Sequence, residues 1–143
     1  LPVLQTEVSE MRAKMRHNHG TQITRGGLGQ NAFNCDVVFD LKQDAGGIVD
    51  IEFMVQYAVL AWSWQYPQLV TYTDNIRILD GLGAENLLNA DHVRMLQEAY
   101  KAYRAAAHRL ALQKQQGVVD GNLFTNERHA VMNVWQELGL SYL

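Results

Sequence analysis

Cysteine is almost missing from this chain: Cys35 stands alone among 143 residues. That excludes an intramolecular disulfide framework and suits a reducing, cytoplasmic setting. A basic excess is missing too. Twelve Lys and Arg face fifteen Asp and Glu for a net charge of −3, which argues against a dedicated nucleic-acid binder. No apolar run approaches the roughly 20 residues needed to span a bilayer, so no membrane segment is expected. The start, Leu1-Pro2-Val3, has neither an initiator methionine nor a basic-then-apolar signal pattern. The chain is therefore expected to be one helical domain, residues 1–143, cut from a larger multidomain protein.

Hydrophobic spacing predicts about five helices and one long glycine-rich loop, an all-α bundle. Leu4, Val8, Met11 and Met15 form the apolar stripe of a first helix, with Arg12, Lys14 and Arg16 favoured near its C-terminal end by the helix dipole. His19 to Asn34, holding Gly20, Gly26, Gly27 and Gly29, reads as the loop. Within it, Arg25-Gly-Gly-Leu-Gly-Gln30 fits neither phosphate-loop spacing and is expected to be a turn. Asp36 to Lys42 alternates weakly, as a short extended segment does. Gly47 to about Gln65 is apolar on nearly every face and belongs in the middle of the bundle, with Pro67 ending it. Thr73 is the expected cap of a helix through Leu82, and Asn89 that of the longest helix, Ala90 to about Gln116. Thr125 opens a last helix closed by Gly139.

Chemistry concentrates in Lys42-Gln-Asp-Ala-Gly-Gly-Ile-Val-Asp-Ile-Glu-Phe-Met-Val-Gln56. With Gly46 or Gly47 as cap, the first helical turn would offer backbone N–H groups to a phosphate or carboxylate, and Lys42 would add a point charge. Asp50 either bonds back to the start of the helix or faces a site. Glu52 and Gln56, one turn apart, need a polar partner or must leave the core. Arg104, His108 and Arg109 on the longest helix are either a solvated face or a docking face for a neighbouring domain. His17 and His19 lack further ligands for a metal, and no nucleophile–base set can be assembled, so neither a metal site nor a catalytic residue is expected in the chain itself.

The stretch from Lys42 to Gln56 resembles the bifunctional adenylyltransferase/adenylyl-removing enzymes of glutamine synthetase, whose K-x-G-x-GGI-x-[DE]-IEF-x-x-Q signature follows each nucleotidyltransferase domain. Lys42, Gly46, Gly47, Ile48, Asp50, Ile51, Glu52, Phe53 and Gln56 match it; Asp44 replaces the first glycine. The resemblance continues through Thr73–Leu82, Tyr103–Leu112 and Arg128–Leu138.

It implies a helical domain, by its Asp-Ile-Glu-Phe form that of the C-terminal, adenylylating half, packed against its own nucleotidyltransferase domain. The implied reaction moves AMP from ATP, with Mg²⁺, to a tyrosine of glutamine synthetase. The family's catalytic domain holds Mg²⁺ on a D-x-D pair, and no D-x-D occurs here, so the chain alone is expected to be inactive and to bind neither Mg²⁺ nor ATP. Two rival readings stand beside it. One is a regulatory module relaying signals from a PII protein or glutamine; the other is the equivalent domain of a PII uridylyltransferase.

Overall fold

A computed structural model describes residues 2–19 and 38–142 of the chain. The glycine-rich loop, its Arg25–Gln30 stretch and Cys35 lie outside the described residues. Helix α1 (Pro2–His19) is followed by strand β1 (Val38–Asp40), helix α2 (Ile48–Trp62), a 3-10 helix (Pro67–Val70), α3 (Asn75–Ala84), α4 (Ala90–Leu112), strand β2 (Val118–Asp120) and α5 (Thr125–Glu137). The five expected helices are present. The connection before the last one also carries β2, which pairs antiparallel with β1, Phe39 opposite Val119.

Helix α2 is the hub, packed by α1, α3, α4 and α5. Ile48, Ile51, Met54, Val55, Tyr57, Ala58 and Ala61 are buried, as an all-round apolar helix requires. Its outer face is not: Leu60 is 63 % exposed and Phe53, Val59 and Trp62 are half-buried. Around α2 lie Leu79 and Leu82 of α3, Leu96 and Tyr103 of α4, and Val131 and Trp135 of α5. The seam of α4 runs through Val93, Leu96, Ala99, Tyr103 and Ala106, with Tyr100 and Leu110 at its edge.

One cap and one helix end differ from the sequence reading. Asp74, not Thr73, caps α3, its carboxylate accepting from the Arg77 N–H at 3.1 Å. Asn89 caps α4 as expected, but that helix stops at Leu112, where Lys114 takes a left-handed φ of 57°. Phe124, with φ of 61°, precedes α5 and gives no side-chain cap.

The largest departure is in α1. Met11, assigned to the apolar stripe, is 63 % exposed, whereas Arg12 is fully buried. Leu4 and Val8 of that stripe do pack against the core, and beside them runs an inward polar stripe, Gln5, Ser9, Arg12 and Arg16, spaced four, three and four. Gln5 donates to the Leu138 carbonyl at 2.9 Å and Ser9 accepts from the Ser141 N–H at 2.9 Å. A polar stripe docks here because the surface it meets is the backbone of the C-terminal segment and the start of α2, whose polar groups need partners.

Candidate functional site

The link between β1 and α2 folds back on itself. Asp40 Oδ1 accepts from the N–H groups of Lys42 and Gln43 at 2.9 and 3.0 Å, and Asp44 Oδ2 accepts from the Asp40 N–H at 2.8 Å. Burial pushes the Asp40 carboxyl above its usual range, against the opposing pull of those two N–H groups. Gly47 caps α2.

The first-turn N–H groups assigned to an anion are instead engaged within the chain. Gly47 donates to the Asp44 carbonyl, Ile48 to that of Leu41 and Val49 to that of Lys42, at 3.0, 2.8 and 3.1 Å. The glycine pair serves this folding-back. Gly46 has φ of 83°, and a Cβ there would lie 2.9 Å from the Arg128 carbonyl; one at Gly47 would lie 2.6 Å from the Leu41 carbonyl. Only glycine admits such contacts.

Asp50, fully buried, bonds back to the start of the helix, its Oδ2 accepting from the Gly46 N–H at 2.7 Å. It does more than cap. Its Oδ1 receives Arg12 Nε at 2.5 Å, and its Oδ2 also receives the Tyr142 hydroxyl at 2.7 Å. Burial and the Asp50 charge hold the Tyr142 phenol far above its ordinary range, so it stays a donor. Arg16 lies over the Tyr142 ring, 5.4 Å from its centroid, and burial lowers its pKa. From α5, Arg128 donates twice to the Ala45 carbonyl, at 3.1 and 2.9 Å, and covers the Phe39 ring at 4.1 Å.

Beside this buried node an open groove of about 500 Å³ is lined by Asp40, Lys42, Glu52, Arg104 and Gln115. Lys42 and Arg104 are exposed, stand on separate elements, and form no ion pair among the described residues. Glu52 closes a chain of bonds: Asn75 donates to the Tyr100 oxygen at 3.1 Å, and Tyr100 donates to Glu52 at 3.4 Å. Arg104 lies 6.0 Å from the Tyr100 ring centroid.

The nine residues singled out from sequence therefore divide. Lys42, Glu52 and Arg104 meet in the groove. Gly46, Gly47 and Asp50 are buried in the node below it. Gln56 turns away from Glu52 into a separate apolar groove of about 300 Å³ between α1 and α2. His108 and Arg109 are exposed on α4, outside the groove lining. Sequence reasoning missed Arg12, Tyr100, Arg128 and Tyr142. The stripe 5, 9, 12, 16 carried a signal for Arg12; Tyr142 and Arg128 had none, since their partners are far along the chain.

Chemically, the groove offers charges of both signs, Lys42 and Arg104 beside the carboxyls of Asp40 and Glu52, to whatever faces it. Among the described residues, no three His, Cys, Asp or Glu side chains are grouped to hold a metal ion, and no helix is long and apolar enough to cross a membrane.

The family model for GlnD PII-uridylyltransferase matches residues 9–137. The chain is 64 % identical over 140 residues to the bifunctional glutamine synthetase adenylyltransferase/adenylyl-removing enzyme of Pseudomonas aeruginosa. It is 62 % identical over 141 residues to that of Pseudomonas syringae pv. tomato and 48 % over 135 residues to that of Nitrosococcus oceani. These matches cover 98, 99 and 94 % of this chain but only 14, 14 and 13 % of the relatives. The resemblance read from Lys42–Gln56 thus extends along almost the whole sequence. The chain belongs to the GlnD PII-uridylyltransferase family and, throughout that length, is similar to one stretch of the glutamine synthetase adenylyltransferase/adenylyl-removing enzymes.

Proposed function

We propose that this chain is the helical domain of a glutamine synthetase adenylyltransferase and that its Lys42–Arg104 groove faces the nucleotidyltransferase domain of the same enzyme. One observation carries the reading: two cations from different elements, without ion-pair partners among the described residues, converge on one open groove at the family signature. There they would orient an anionic group of the nucleotide or of the catalytic domain, lowering the barrier by fixing charge in place. Mg²⁺ and ATP are proposed for the nucleotidyltransferase domain, where the family resemblance puts the D-x-D pair. Glutamine synthetase is the proposed substrate, and a PII protein a proposed partner of the longer enzyme.

The test is AMP transfer to glutamine synthetase by the longer enzyme, with Lys42→Ala and Arg104→Ala beside the native protein. A fall of about tenfold or more, worth about 1.4 kcal/mol of barrier, at unchanged folding supports the reading. Native rates in both variants would make the groove an architectural joint. A second reading, the equivalent domain of a PII uridylyltransferase, is favoured by the name of the matching family model. Assaying the same enzyme with PII and UTP separates the two, and UMP transfer would favour the second.

A further inference from the structure

The backbone after Lys42 is held by side chains at every step. Arg12 Nη2 donates to the Gln43 carbonyl at 2.6 Å and reaches that of Asp44 at 3.5 Å. Arg128 holds the Ala45 carbonyl. The Gly46 N–H is held by Asp50, which Arg12 holds in turn. Arg12 thus touches both the carbonyls of the turn and the carboxylate that closes the start of α2. It is fully buried and lines no part of the groove, so it reaches Lys42 through this turn.

The geometry points to Arg12 as a positioning residue: through it, α1 sets where the Lys42 ammonium stands relative to Arg104. The inference rests on the proposed role of the groove in AMP transfer. A guanidinium is needed because its planar fork serves Asp50 and Gln43 at once. A lysine ammonium at position 12 keeps the charge and meets Asp50 but does not hold both.

The experiment is a double-mutant cycle in the longer enzyme with Arg12→Lys, Lys42→Ala and the pair, joined to amide hydrogen exchange over residues 43–49. Arg12→Lys is expected to slow transfer about tenfold or more, as a misplaced group does. In the Lys42→Ala background it should add less than about twofold, because residues acting through one another are not additive. Exchange at 43–49 should rise about tenfold with α3 and α4 unmoved. A purely structural role would multiply the two effects and raise exchange in all helices. That result, or native exchange at 43–49, overturns the assignment.

If Lys42→Ala alone leaves transfer intact, the groove's role fails separately, and the positioning of Lys42 for transfer is overturned with it, whatever the exchange shows. Should Arg12→Lys not fold, Tyr142→Phe removes a single partner of the same carboxylate. It should raise exchange at Gly46 and slow transfer less than additively with Lys42→Ala; native exchange at Gly46 would overturn the assignment.

Discussion

Arg12 and Asp50, thirty-eight residues apart in sequence, form an ion pair with no exposed surface on either side chain. The pair joins α1 to the start of α2, and its remaining hydrogen bonds go to the Gln43 carbonyl, the Gly46 N–H and the Tyr142 hydroxyl. Arg12 Nη1 is the exception, buried without a hydrogen-bond partner among the described residues. A buried pair of this kind stabilises little relative to apolar residues, yet losing one member leaves the other charged and alone in the interior.

Arg12→Ala and Asp50→Ala are therefore each expected to cost about 3–5 kcal/mol, measured by urea unfolding. The double variant should cost less than the sum, since the second change removes the stranded charge. Additive losses would show that the two side chains act independently.

Gly47→Ala should destabilise by about 1–3 kcal/mol, because the new Cβ would meet the Leu41 carbonyl and the backbone must distort to admit it. Gly46→Ala adds a left-handed φ to a similar clash and should cost at least as much. By contrast, Gly117 has open space where a Cβ would stand. Gly117→Ala should leave the thermal midpoint nearly native.

Helix count and the caps at Gly47 and Asn89 were legible because they depend on neighbours in sequence. So was the clustering of polar groups around Lys42. The division of those groups was not. Glu52 and Gln56 share a helical stripe but line different grooves, because α4 packs one side of α2 and α1 the other. The inward face of α1 was legible in part: Leu4 and Val8 pack as expected, but burial of Arg12 in place of Met11 is decided by a carboxylate and carbonyls from distant segments. Strand β2 escaped notice because three residues are too few to show alternation.

Tyr103 is fully buried and its hydroxyl has no hydrogen-bond partner among the described residues. Its ring packs edge-on against Phe39 and Phe124. Tyr103→Phe keeps those contacts and removes a stranded polar group, so it should be neutral or raise stability by up to about 1 kcal/mol. A clear loss of stability would reveal a partner for the hydroxyl.

Burial holds the phenols of Tyr103 and Tyr142 above the ordinary range of tyrosine. In an alkaline absorbance titration of the folded protein, the phenols of Tyr103 and Tyr142 should stay silent until the chain unfolds. Tyr142→Phe should leave one silent. Six ionisations in the native state would contradict this.

Asp40 titrates in the opposite sense to a salt-bridged acid. Its pKa is raised by burial, so the folded chain holds this proton more tightly than the unfolded one, whose value is 3.8. The stability this contributes is fully present below 3.8 and is lost as pH rises through the folded value. Asp40→Asn keeps an oxygen for the Lys42 and Gln43 N–H groups but does not titrate. Its urea midpoint should gain on the native protein with rising pH, and a constant difference would sink the assignment.

The polar inner stripe of α1 has one more consequence. Apolar faces tolerate sliding, since one methyl group replaces another, but a guanidinium moved one helical turn would find neither its carboxylate nor its carbonyl. Helix α1 consequently has a single docked position and no graded series beside it. The register of α1 against the start of α2 is thereby fixed by charge as well as by shape.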